Sequence, residues 1–219
     1  MKPCLYPQTR SCSFGAMVPL RLTASILLLA IFGTGPAAAT DIALRYYILS
    51  DSLGGFRLLA ASGIGSRVDP VIVEEEITDA APAILTIRRL RPERSPAGTP
   101  LELNIVKRIH NASQRIWGGF EVELQEVLRK PSVYGDGLSF NQYALGPGDA
   151  DADVFGETRR LYEPFDRIRF QDGHVDPDGT LTIRLTITDP TPTAVFYLVQ
   201  DPQLLSAGLR VPRKSIAAR

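Results

Sequence analysis

The chain has 219 residues, and its 24 basic and 24 acidic side chains leave no formal net charge. A balanced charge provides no long-range attraction for nucleic acid or for an anionic membrane surface, and it argues against both as partners. The length suits one β domain of ordinary size with additional segments.

The first 39 residues have the three parts of a secretory signal peptide. Three basic residues come before the apolar core: Lys2, Arg10 and Arg21. The core runs from Leu22 to Phe32, and the small residues Ala37–Ala39 then provide a cleavage pattern. The core is shorter than the roughly 20 apolar residues that a membrane-spanning helix needs. We therefore predict export to the periplasm or the extracellular space, with cleavage after residue 39.

Removal of this segment changes the composition of the remaining chain. Three basic and no acidic residues leave with it, so 21 basic and 24 acidic residues remain, a net charge of −3. Cys4 and Cys12 also leave, which excludes disulfides, thiolate metal sites and a cysteine nucleophile from the mature protein. No later apolar stretch is long enough to predict a stable membrane anchor, and either Met1 or Met17 is the true start.

Residues 40–90 form a predicted N-terminal β segment. Asp41–Leu49 and Ala83–Leu90 alternate between apolar and polar residues, and Val71–Val73 has the composition of a short strand. The three carboxylates of Glu74–Glu76 are typical of a solvated strand end. The proline-containing loop at 91–100 is a candidate boundary, although a single domain that includes residues 40–90 fits equally well.

Residues 91–202 carry a series of short predicted strands separated by polar connections rich in Gly and Pro. Leu101–Ile109 alternates as far as Ile105 and then loses the pattern near Lys107. Gly118–Leu128 begins with strand period and ends with helical spacing, so its end is ambiguous. Weaker segments are Leu138–Leu145 and Arg167–Phe170.

The clearest strand is Thr180–Thr188, which alternates perfectly over nine residues. After the breakers Pro190 and Pro192, the apolar run Ala194–Val199 suggests a strand that is covered on both faces. We therefore predict an all-β protein, an immunoglobulin-like antiparallel β-sandwich over residues 91–202. The basic tail 203–219 should pack little.

An aspartate run is the sharpest chemical feature. Asp149, Asp151 and Asp153 alternate in a polar loop, and such carboxylates can surround Ca²⁺ with oxygen ligands. The spacing fails as an EF-hand, because Val154 and Arg160 occupy the positions that require glycine and a bidentate glutamate. A loop kept soluble by charge is the alternative interpretation.

The two histidines give little support to catalysis. His110 and His174 lack a second histidine at metal-ligand spacing, and the chain has no Gly-x-Ser-x-Gly elbow. Both are typical of exposed turns. We predict no catalytic residue, and we keep an atypical secreted hydrolase as an alternative.

Aromatic and polar residues between 117 and 143 form a candidate ligand surface: Trp117, Tyr134, Asp136 and Tyr143. Aromatic side chains in β domains can form sugar-binding platforms. They are also the large residues that fill a sandwich core, so both interpretations stay open.

Four motifs resemble exported bacterial β-sandwich modules of surface-associated proteins: Asn111-x-Ser113, Trp117-x-x-Phe120-x-x-x-Leu124, Asp136–Phe140 and Phe196–Leu198. The resemblance covers about residues 101–200. It implies a fold and a compartment without an activity, and the chain departs from some of those proteins in having neither calcium-binding nonapeptide repeats nor a terminal anchor helix.

The resulting functional hypothesis is an exported, non-catalytic binding or scaffold module whose partner is an unidentified protein or glycan. The alternatives are a calcium-dependent carbohydrate-binding module and the hydrolase. Calcium is the one cofactor considered.

Overall fold

The computed structural model describes residues 39–79, 81–90, 100–133, 135–141, 150–161 and 166–205. They lie in one compact unit, 38–219. The predicted signal peptide, most of the proline-containing loop and most of the basic tail lie outside the described residues. In the described part of the chain, no helix has the length and apolar character to span a bilayer.

The regular structure of the described residues is entirely β. It comprises β1 Asp41–Ala43, β2 Tyr47–Ser50, β3 Arg57–Ser62, β4 Val71–Ile77, β5 Ala83–Arg89, β6 Leu101–Asn111, β7 Trp117–Gln125, β8 Ser139–Phe140, β9 Ala150–Ala152, β10 Phe155–Leu161, β11 Arg167–Gly173, β12 Thr180–Asp189 and β13 Val195–Leu204.

These strands form two sheets that share one hydrophobic core. The seven-stranded sheet has the order β1-β2-β5-β13-β7-β11-β10, and all of its pairs are antiparallel. The six-stranded sheet has the path β3-β4-β6-β12-β8, with β9 also pairing with β12. Within it, β4 and β6 are parallel and the other described pairs are antiparallel. Strands from both sides of the 91–100 loop contribute to each sheet.

The perfectly alternating segment is confirmed as a strand, β12. Its four apolar residues are buried: Leu181, Ile183, Leu185 and Ile187. β12 pairs with β6 along its whole length, from Thr180 opposite His110 to Asp189 opposite Leu101. Each fully buried aliphatic side chain of this kind contributes about 1.5–3 kcal/mol to stability.

β13 corrects the expectation of a strand covered on both faces. Phe196, Leu198 and Gln200 are buried, whereas Val195, Tyr197 and Val199 are only partly buried. The strand lies between β5 and β7 and turns one face to the core, so its outward residues remain at the surface. It also continues to Leu204, beyond the predicted domain end at 202.

Two further differences concern β7 and β10. β7 ends as a strand at Gln125, without the helical turn that its spacing allowed. β10 was not predicted, because its central residues are polar on both faces. It is the edge strand of its sheet and bonds only to β11 among the described strands, and charged side chains are common on edge strands because they discourage pairing with other chains.

Candidate functional site

The predicted ligand surface does not assemble from the residues described. Trp117 has no exposed surface, and its Nε1 donates a hydrogen bond to Ser113 Oγ at 3.2 Å. The indole therefore belongs to the core and presents no face to a ligand. Asp136 accepts hydrogen bonds from the backbone amides of Val133 and Leu138 at 3.2 and 3.1 Å, which fix a turn. Tyr134 and Tyr143 lie outside the described residues.

The aspartates proposed for calcium have protein partners where the structure describes them. Asp151 forms an exposed ion pair with Arg184, with Oδ2 and Nη1 3.2 Å apart. Asp153 Oδ1 accepts a hydrogen bond from the Thr182 amide at 2.9 Å. Asp149 lies outside the described residues. Across the part of the chain that is described, no group of three or more metal-ligating side chains is arranged to hold an ion.

Each histidine has an aspartate nearby at the surface. His110 Nε2 lies 3.9 Å from Asp178 Oδ1, and His174 Nε2 lies 3.7 Å from Asp176 Oδ2. All four side chains are solvent-exposed, so each pair is worth at most about 1 kcal/mol. His174 lies in an exposed connection between β11 and β12, as the sequence suggested, whereas His110 lies within β6, next to its last residue.

The chemically unusual residues lie inside the protein, although charged side chains such as theirs are expected at the surface. Glu75 was predicted to lie at a solvated strand end together with its two acidic neighbours, and this is wrong. The alternation of β4 turns Glu75 inward with 1% exposure, while Glu74 and Glu76 point outward and pair with arginines. On the neighbouring β6, Lys107 also points inward and has no exposed surface.

These two residues and Gln200 form what we call the core cluster: Glu75, Lys107 and Gln200. Lys107 Nζ lies 2.7 Å from Glu75 Oε2. Gln200 Nε2 donates a hydrogen bond to the same oxygen at 3.4 Å. Gln200 has no exposed surface and comes from β13, so the cluster connects the six-stranded sheet to the seven-stranded sheet through the core.

The hydrogen bonding of the core cluster is incomplete. Glu75 Oε1 and Gln200 Oε1 are both buried without a hydrogen-bond partner. Burial lowers the pKa of Lys107, and the charge and hydrogen bond of Glu75 oppose that shift. An unpaired buried acceptor costs about 1–3 kcal/mol, and desolvation of a buried ion costs several kcal/mol. An apolar core would avoid these costs, so the cluster is a candidate for a specific role.

A second polar feature covers the outer face of the seven-stranded sheet. Glu121 and Glu123 on β7 pair with Arg169 and Arg167 on β11, and Arg169 Nε lies 2.6 Å from Glu121 Oε1. Beside them is a groove of about 220 Å³ that includes Asp201. Burial raises the pKa of Asp201, and the nearby carboxylates of Glu121 and Glu123 add to this effect, while Gln203 and Arg167 oppose it.

One sequence signal for the core cluster was present but was missed. In β6 the inward positions run Leu103, Ile105, Lys107, Ile109, and the apolar pattern resumes after the lysine. This resumption indicates that Lys107 keeps the inward phase of the strand. No comparable local signal links it to Gln200, because that contact depends on how the two sheets face each other.

Comparison of the chain with models of known protein families, with curated proteins and with solved structures finds no match.

Proposed function

We propose that this protein is an exported, non-catalytic module with an immunoglobulin-like β-sandwich, which serves a structural or binding role in the periplasm or outside the cell. The observation that carries the proposal is the position of the core cluster. Its carboxylate, amine and amide are all removed from solvent. Groups without access to an external substrate act on the protein's own fold, which favours a structural role.

The outer face of the seven-stranded sheet is the proposed contact surface. Its carboxylate and guanidinium groups are arranged in rows by the register of β7 and β11, with Glu123 opposite Arg167 and Glu121 opposite Arg169. Glu121, Glu123 and Gln125 in the wall of the groove beside them are buried. The accessible polar groups of the groove are the partly exposed Asp201 carboxylate and Arg167 guanidinium group. Such groups form hydrogen bonds with a glycan hydroxyl or a polar protein surface. The proposed partner therefore presents a polar surface.

Cell fractionation tests the export part of the proposal. We expect the chain expressed at full length to be recovered from the periplasm or the medium, with an N-terminus at Thr40 by N-terminal sequencing. Recovery in the cytoplasm with an uncleaved N-terminus would refute export.

Substrate screening tests the absence of catalysis. Chromogenic esters and glycosides are incubated with the wild type, His110→Ala and His174→Ala, and we expect no turnover above the buffer blank. Hydrolysis by the wild type that either substitution abolishes would establish the hydrolase alternative instead.

Calorimetric titration with Ca²⁺ separates the proposal from a calcium-dependent carbohydrate-binding module. A ligand that binds the native form raises its melting temperature. We expect neither heat nor a thermal shift. Calcium binding that Asp151→Asn weakens, together with calcium-dependent binding on a glycan array, would support the alternative.

A further inference from the structure

The core cluster contains the reactants of a condensation between a primary amine and a carboxamide. We infer that Lys107 and Gln200 become joined by an isopeptide bond between Nζ and Cδ, which covalently links β6 of one sheet to β13 of the other. This inference concerns the covalent structure of the chain, and it holds whichever partner the protein has.

Proximity is the first part of the argument. Glu75 Oε2 contacts Lys107 Nζ at 2.7 Å and Gln200 Nε2 at 3.4 Å, so the amine and the amide nitrogen both bind the same carboxylate oxygen. The three side chains are fixed by strands within a packed core. Holding two reactants together in this way converts a bimolecular step into an intramolecular one, which strongly favours reaction. Exclusion of water also removes hydrolysis of the amide as a competing reaction.

The protonation states form the second part. An amine attacks a carbonyl carbon only in its neutral form, and burial lowers the pKa of Lys107 toward that form. The nearest acceptor for its proton is Glu75 Oε2. Proton transfer turns the carboxylate of Glu75 into a carboxyl group, whose O–H is a hydrogen-bond donor. The two buried acceptors Glu75 Oε1 and Gln200 Oε1 have no donor before this transfer. A hydrogen bond from the carboxyl group to the amide oxygen polarises the carbonyl for attack.

The reaction balances without an oxidant or an external reagent. The Nζ lone pair forms a bond to Gln200 Cδ, and the resulting tetrahedral intermediate loses its Cδ–Nε2 bond. The leaving nitrogen takes one proton from Nζ, relayed by Glu75, and departs as ammonia. Glu75 retains the proton that began on the lysine ammonium. The product is one secondary amide plus one ammonia molecule.

The change in charge provides a driving force. Before the reaction the core holds an ammonium and a carboxylate that carry desolvation costs. After it, the core holds a neutral amide and a neutral carboxyl group. The new bond also closes a long loop of the chain from residue 107 to residue 200, which restricts the unfolded state as a disulfide does. A protein with no cysteine after residue 39 would gain such a covalent brace without any thiol.

Mass spectrometry of the chain purified from expressing cells tests the inference. We expect an intact mass lower than the sequence mass of the processed chain by one ammonia molecule. Tryptic digestion should yield residues 95–108, uncut after Lys107, joined to residues 185–210. Tandem fragmentation should place the link between Lys107 and Gln200.

Three variants serve as controls. Lys107→Arg and Glu75→Gln should show the unmodified mass, because the first lacks the amine and the second lacks the proton acceptor. Lys130→Arg, at an exposed lysine, should keep the ammonia loss. A wild-type chain with unmodified mass, or a link that maps elsewhere, would overturn the inference whether or not any variant folds. A link that forms at the wild-type rate in Glu75→Gln would refute the role of Glu75.

Discussion

Lys107→Met removes the ammonium group of the core cluster and leaves Glu75 in the core without its ion-pair partner. Two unit charges 2.7 Å apart attract each other by about 6 kcal/mol at an effective dielectric constant of about 20. In the wild-type chain before the isopeptide bond forms, this attraction offsets desolvation of the two groups, which costs several kcal/mol per ion. Because the variant loses the attraction while the carboxylate stays buried, we expect its free energy of unfolding to lie about 3–5 kcal/mol below that of the unlinked wild type.

The double variant Glu75→Leu/Lys107→Met removes both buried charges. It should therefore be more stable than Lys107→Met by about 3–5 kcal/mol, since no uncompensated charge remains. For a domain of this size, that difference corresponds to roughly 6–20 °C in melting temperature. Both variants lack the lysine and neither can form the isopeptide bond, so this comparison measures the cost of burying the unpaired carboxylate of Glu75.

Urea unfolding provides the assay, because the single tryptophan of the chain, Trp117, is fully buried and reports on the core by its fluorescence. Arg108→Met is the matched control. Arg108 neighbours the lysine on the same strand but points outward to an exposed ion pair with Glu74 at 3.2 Å, so its loss should cost at most about 1 kcal/mol. Equal unfolding midpoints for the single and double variants would refute the cost assigned to a buried, unpaired carboxylate at Glu75.

Three further predictions concern other parts of the fold. Burial raises the pKa of Asp201, so its contribution to stability is present below the unfolded-state pKa and is lost as pH rises through the higher folded-state pKa. Asp201→Asn should therefore flatten the decline in unfolding free energy as pH rises above about 4, and parallel curves for variant and wild type would contradict this. Asn111 is fully buried and donates from Nδ2 to three backbone carbonyl groups, so Asn111→Asp should cost about 3–5 kcal/mol in denaturant unfolding, more than the roughly 1–3 kcal/mol expected for Ser113→Ala. Gly63 and Gly54 both have positive φ, but a Cβ on Gly63 would lie 1.9 Å from a backbone carbonyl oxygen, whereas a Cβ on Gly54 would meet nothing within 4 Å. Gly63→Ala should therefore lower the melting temperature clearly more than Gly54→Ala. Equal losses would show that the backbone near Gly63 shifts easily to make room for the Cβ.

Strand periodicity is local information, and it determined the fold class of this protein. The buried face of β12 follows directly from the alternation of Leu181, Ile183, Leu185 and Ile187, because neighbouring side chains on a strand point to opposite faces. The same rule fails for β10, whose polar residues at the edge of a sheet leave no apolar face to detect. Two packed sheets could thus be expected from the sequence, but their strand order could not.

The candidate site was decided by tertiary structure. Charged residues are usually exposed, so composition alone predicts a solvated Glu75, and the pattern of β6 indicates a break at Lys107. Their burial becomes visible only once β4 and β6 lie side by side with both inward faces toward the core. Gln200 joins them from the opposite sheet, far along the chain, because packing of the two layers places its amide beside the same carboxylate oxygen. The sequence by itself determined which residues alternate, and only the packing of one sheet on the other determined which of them meet.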